Sequence, residues 1–206
     1  MAVQMHLPMR VEGRAPAERL APHVLPALVV IGKVVVVLAV VRVLMDPAWA
    51  HLEGKAPIAR VIMYPLWAMA VPVLWTTTRR GSAYPWLADL LVTLTCFTDL
   101  AGNRLDLYNS VDRFDDGMHV LNAALVSAAF VVLTVGRSAT FAEIVEAAVS
   151  FGLTASLAWE LFEYGTFLTR STEWTTAYSD TIGDLTLGWL GSVLAALVVA
   201  VVWRRR

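Results

Sequence analysis

Asp112, Asp115, Asp116 and His119 crowd the mouth of an apolar stretch, and they are the residues best placed to do chemistry. Each helical residue turns by about 100°, so Asp112, Asp116 and His119 fall within roughly 60° of one another if Asp112 is already helical. Asp116 and His119 alone form an Asp-x-x-His pair, whose i,i+3 spacing suits two ligands of one ion. Two more acidic pairs follow, Glu160/Glu163 and Asp180/Asp184. Carboxylates packed together repel unless they share protons or hold a cation. With one imidazole they suit Zn, Mn or Fe, or Mg or Ca if the histidine stays outside the ligand set. The expected divalent-metal ligands are Asp116, His119, Glu160 and Asp180. Glu163 and Asp184 are the expected proton-handling groups. Asp112, Asp115, Asp99 and Asn103 are expected in support.

Plainer readings stand beside these. Asp112, Asp115 and Asp180 sit where carboxylates cap helix N-termini and favour the positive end of the dipole. A lone bundle histidine is more often hydrogen-bonded than metal-bound. Glu160 and Glu163 resist such a reading, because carboxylates at a helix C-terminus are unfavourable.

The elements that must position these groups are membrane spans. The chain has 206 residues, of which 58% are hydrophobic and 16% charged, with a mean hydropathy of +0.63. A soluble domain carries about 25% charged residues. The fold class is therefore an all-α polytopic membrane bundle. A spanning helix needs about 20 apolar residues. The spans are expected at 24–45, 58–76, 84–102, 116–135, 140–168 and 180–203, about six in all. Residues 1–23 form a polar tail, 24–203 the transmembrane domain and 204–206 a basic end. No apolar h-region follows the start closely enough for a cleaved signal. Trp49, Trp75, Trp86, Trp174 and Trp203 fall near span ends, as an interfacial belt requires. The single cysteine, Cys96, excludes an intrachain disulfide or a multi-cysteine metal site. A net charge of −1 gives no reason to expect a nucleic-acid partner.

Inside the spans, Lys33 reads as a snorkelling lysine and Arg42 as the i,i+4 partner of Asp46. Pro65 and Pro72 kink the second span. Asp89, Glu143 and Glu146 lie at a boundary and read as solvated. Asp99, Asn103 and Asp106 share a face if their helix runs that far. Nine Lys and Arg residues lie in the tail, the loops on its side and the C-terminus, against five opposite (Lys55, Arg60, Arg104, Arg113 and Arg170). Both termini are expected in the cytoplasm by the positive-inside rule. Alternating spans then bring Asp99, Asp106, Asp112, Asp115, Asp116 and the pairs Glu160/Glu163 and Asp180/Asp184 to the non-cytoplasmic side, with Asp89, Glu143 and Glu146 at the cytoplasmic boundary. His119, Glu160 and Asp184 lie about one turn deep, roughly 5 Å below the boundary, where ionisable groups face a bundle interior or a wet cavity. Asp180, Asp184, Gly188 and Gly191 form one stripe whose small residues let a neighbouring backbone approach.

Leu107-Tyr-Asn109, Phe114-Asp-Asp-Gly-Met-His119, Trp159-Glu-Leu-Phe-Glu163 and Asp180-Thr-x-x-Asp-Leu185, with Gly188 and Gly191, together resemble the YjdF-type family of small multi-pass inner-membrane proteins. The resemblance covers roughly residues 85–200. It implies an inner-membrane location, and it implies a further acidic or polar residue where Gly188 stands here. The pattern is more distantly similar to VanZ-like membrane proteins, which are associated with glycopeptide resistance. Neither resemblance implies a particular reaction. Three functions follow from the residues. One is a metal-dependent hydrolase or transferase acting on a lipid or lipid-linked phosphate, with membrane lipids as its surroundings and a lipid-like substrate. Another is a proton- or ion-coupled transporter, and the third is a non-catalytic membrane subunit.

Overall fold

In hydrocarbon every backbone N–H and C=O must be bonded within its own segment, so the long apolar runs of this chain fold as helices. The computed structural model of the chain describes residues 23–78, 81–170 and 175–204. Residues 1–22 of the expected tail, Arg79 and Arg80, Trp174, and Arg205 and Arg206 lie outside them. The elements are α1 (Val24–Met45), α2 (Pro57–Ala68), α3 (Ala70–Thr78), α4 (Trp86–Arg104), α5 (Leu107–Ser110), α6 (Phe114–Thr134), α7 (Phe141–Thr166) and α8 (Ala177–Arg204). Short 3-10 turns, Pro47–Ala50 and Leu168–Arg170, shape two of the connections.

Five segments are long and apolar enough to cross a membrane: Val24–Met45, Pro57–Thr78, Phe114–Thr134, Phe141–Thr166 and Ala177–Arg204. The remaining expected span, α4, is a helix of 19 residues that falls outside this set. Asp89, Asp99, Asn103 and Arg104 lower its apolar character. It is packed between α1, α2 and α6, so its acids meet protein groups and not lipid. Asp89 is 0% exposed. Its carboxylate pairs with Lys33 at 2.8 Å and accepts from the Tyr84 hydroxyl at 2.6 Å. Burial, helped by that carboxylate, pushes the Tyr84 hydroxyl above its ordinary value and keeps it a donor. The snorkelling reading of Lys33 and the solvated reading of Asp89 are both corrected. With Asp89 buried, the part-buried Lys33 ammonium offsets the cost of removing that carboxylate from water.

Pro72 explains why the second span divides. It has no N–H, so the Ala68 carbonyl lacks a helical donor four residues on. The Lys33 ammonium donates to that carbonyl instead. The helix breaks at Met69, between α2 and α3. Arg42 pairs with Asp46 at 3.0 Å, as the local reading expects.

The helices form two groups. α6, α7 and α8 pack on one another, and α1, α2 and α4 on one another, with α4 and α6 joining the groups. The α6–α8 contact is the closest. A Cβ at Gly191 would overlap the Val120 carbonyl and sit 3.1 Å from the Ala124 nitrogen. Ser127 donates to Ser192 at 3.2 Å, and Ser192 donates to the Gly188 carbonyl at 2.8 Å. The stripe through Asp184, Gly188 and Gly191 is buried, so the first turns of α8 carry Asp184 into the bundle.

Candidate functional site

Arg113 adopts a left-handed conformation (φ 58°), and α6 starts only at Phe114. Asp112 is therefore off the helical register that would bring it to His119, and it is exposed. From Phe114 onward the register places Asp115, not Asp116, one turn above His119. The His119 Nε2 atom lies 3.7 Å from Asp115 Oδ2 and 3.5 Å from Asp184 Oδ1 of α8. Ligand atoms of Asp115, His119 and Asp184 all lie within 4.8 Å of one another. Asp116 points away and is exposed, making no ion pair among the described residues. The expected Asp-x-x-His pair thus gives way to an i,i+4 pair, because the helix presents the earlier aspartate to α8.

Glu160 of α7 meets the other side of the ring. Its Oε1 atom is 3.9 Å from His119 Nδ1. That oxygen is buried with no hydrogen-bond partner, and the residue is 6% exposed. A buried carboxylate oxygen without a partner is costly. Its position opposite Nε2 is that of the carboxylate which holds a metal-binding imidazole in one tautomer. The geometry thus gives Glu160 a place behind the histidine, while Asp115 joins Asp184 in front. Asp180 is exposed at the rim, outside this group of three.

A second polar cluster faces the first. Arg60 is 4% exposed and lies in the first turn of α2, not in a loop as its count among the loop cations assumed. Its Nε donates to the Lys55 carbonyl at 2.9 Å and its Nη1 to the Tyr64 hydroxyl at 2.8 Å. Its guanidinium pairs with Asp99 at 3.1 Å and Glu163 at 3.3 Å. Asp99 also accepts from Tyr64 and, at 2.9 Å, from Tyr108. Asn103 donates to the Asp99 carbonyl at 2.9 Å. Burial, then the Asp99 carboxylate, pushes the Tyr108 hydroxyl upward, so it remains a donor. Tyr108 is seated by Phe114, edge-on at 5.0 Å, against the bare backbone of Gly102. Glu163 is therefore tied to an arginine and not poised beside His119. Asp106 leaves the shared face with Asp99 and Asn103, because α4 ends at Arg104 and Asp106 turns left-handed.

Arg60 had a sequence signal. A cation three residues past Pro57, with a tyrosine at i+4, marks a charge carried into a span. Tyr108 was marked only by its place in the Leu107-Tyr-Asn109 motif, and Lys55 had no signal, since their places depend on how the connections fold back. Both clusters line one cavity of about 480 Å³. Lys55, Arg60, Asp99, Asn103, Tyr108, Asp115, His119, Glu163 and Asp180 surround its polar end, and Met63, Trp67, Met118, Val126 and Ala155 its deep end. That size lies within the ordinary range for small-molecule sites.

Neither the curated proteins nor the solved structures contain a match to the chain. A family profile described as predicted membrane protein matches residues 24–205, from the start of α1 to the end of α8. A helical membrane bundle with an aspartate–histidine cluster at one end, this chain belongs to that family, DUF2238.

Proposed function

We propose that Asp115, His119 and Asp184 hold a divalent metal and that the protein hydrolyses, or transfers a group on, a lipid or lipid-linked phosphate. The observation that carries this is the set of ligand atoms from α6 and α8 within 4.8 Å of one another at the edge of the cavity. One nitrogen and two carboxylates suit Zn, Mn or Fe. A metal so bound would polarise a phosphoryl oxygen and lower the pKa of a bound water. The chain supplies the rest. Glu160 orients His119 from behind. Asp180, without an ion pair among the described residues, is placed to take a proton at the rim. Arg60 holds Glu163 and Asp99 away from that task. The excess of arginine in the loops on the side of the termini favours a site on the non-cytoplasmic face. The likeness of the motifs to YjdF-type and VanZ-like proteins favours a bacterial inner membrane.

Elemental analysis of the purified protein tests the reading. A stoichiometric metal is expected, lost in His119→Ala and in Asp184→Ala, together with metal-dependent release of phosphate from a lipid phosphate. Protein without metal, or variants with undiminished metal, would overturn it. A stoichiometric metal without turnover would instead favour the non-catalytic subunit. The carrier reading has one observation in its favour, the buried Lys33–Asp89 pair. It requires that Asp89→Asn stop proton movement in vesicles, which the enzyme reading does not.

A further inference from the structure

α2, α4, α6 and α7 form the long walls of the cavity, and α5 and the start of α8 contribute Tyr108 and Asp180 at its polar end. Around it α2 packs on α4, α4 on α6 and α6 on α7. The fourth side, between α2 and α7, has no comparable backbone contact. Side chains bridge it. Arg60 reaches Glu163 at 3.3 Å, and its guanidinium lies over the Trp159 ring at 5.2 Å. Below that bridge the lining is Met63 and Trp67 from α2 and the small residues Ala155 and Ala158 from α7. Met63 is 42% exposed, so the cavity wall continues there onto the lipid-facing surface.

Depth gives the cavity a polarity along the membrane normal. From Asp115 to Val126 its α6 wall runs for about 16 Å at 1.5 Å per residue. That is roughly half of a 30 Å hydrocarbon layer. The end near the helix termini is charged, and the end near mid-bilayer is uncharged, with Met63, Trp67, Val126 and Ala155 beside the neutral polar groups of Thr95, Asn122 and Ser156. At the charged end Lys55 makes no ion pair among the described residues, and its ammonium stands 5.4 Å from the Tyr108 ring centre. It is a cation available to an anionic head.

We propose that the α2–α7 seam is a lateral entrance from the bilayer, and that the cavity takes an amphiphile with a phosphate head on a hydrocarbon chain. The head lies between Lys55 and His119. The chain descends along Trp67 and Val126 and leaves between Met63 and Ala155. A ligand arriving from water would need neither the apolar depth nor an unpacked side. This deepens the reading of the cavity as a lipid-handling site and rests on it, but it does not require the metal.

The test uses the full chain in phosphatidylcholine vesicles containing phosphatidic acid with a diazirine near the chain end. After illumination, adducts are mapped by peptide mass spectrometry. Adducts are expected on Trp67 and Val126, besides those on outward residues such as Met63, Leu66 and Leu157. Ala155→Trp fills the seam and should abolish the first set while leaving the second, which also reports that the variant is folded. Adducts confined to Met63, Leu66, Leu157 and Leu161 would overturn the proposal. Metal content measured on the same samples separates the two readings. Cavity adducts on a metal-free protein sink the metal site and keep the entrance, whereas bound metal with outward adducts only does the reverse.

Discussion

At His119 the two ring nitrogens face different company. Nε2 looks toward Asp115 and Asp184, and Nδ1 toward a glutamate oxygen that has no hydrogen-bond partner. If that glutamate orients the ring, Glu160→Gln should retain the fold and weaken metal binding by about 10- to 100-fold, the usual effect of losing such a partner. Titration of the chelator-stripped protein with Zn or Mn measures it; unchanged affinity would return Glu160 to a purely structural role. The sequence made His119, Glu160 and Asp184 conspicuous, because ionisable groups one turn inside an apolar helix are expensive unless they serve a purpose. By spacing it chose Asp116, where the helix presents Asp115 to His119. That choice turns on where α6 begins, and a left-handed arginine, for which no local pattern argues, decides it. Nor could it foresee that Glu163 would be claimed by Arg60, since the two are 103 positions apart in the chain.

At the scale of elements, hydrophobic runs located the helices to within a few residues, as bilayer thickness demands of any spanning segment. α4 was legible as a helix but not as an interior one. Its acids read as boundary groups until α1 and α2 bring Lys33 and Arg60 to them. The glycine stripe of α8 could be read from spacing alone, and it sets how closely α6 and α8, the two helices bearing the site, can lie. Gly191→Ala would drive a methyl into the Val120 carbonyl, and backbone cannot swing aside as a side chain can. Overpacking of this kind costs about 1–3 kcal/mol. A lower unfolding temperature and weaker metal binding are expected together. Gly183→Ala, on the same helix with nothing within 4 Å, is the control and should be neutral or slightly stabilising. Equal behaviour of the two variants in thermal unfolding would remove the close-approach argument.

The whole molecule is two helical groups hinged on α4 and α6, with buried ion pairs, Lys33–Asp89 and Arg60–Asp99, one near each end of α4. Alternation of spans foretold that the acidic ends would gather at one face. It did not foretell a cavity between α2, α4, α6 and α7, because that depends on how closely each pair of helices packs. Lys33→Met strips Asp89 of its cation while Asp89 stays buried, and breaking one half of such a pair costs about 3–5 kcal/mol. The double variant Lys33→Met with Asp89→Leu should recover most of the loss, as apolar replacements of both partners commonly do. Denaturation in mixed micelles reads both. If the double variant is no better than the single, the Ala68 carbonyl left without its donor matters more than the pair.

That ammonium has a history as well as a position. Ribosomal synthesis delivers α1 to the bilayer well before α4 exists, so Lys33 enters without Asp89 and must wait for it. Until then the positive charge has only the Ala68 carbonyl of α2, the surface or the insertion machinery to turn to. A chain interrupted ahead of residue 89 should therefore hold its first helix loosely and remain exposed to quality-control proteases, whereas one that has gained α4 should not.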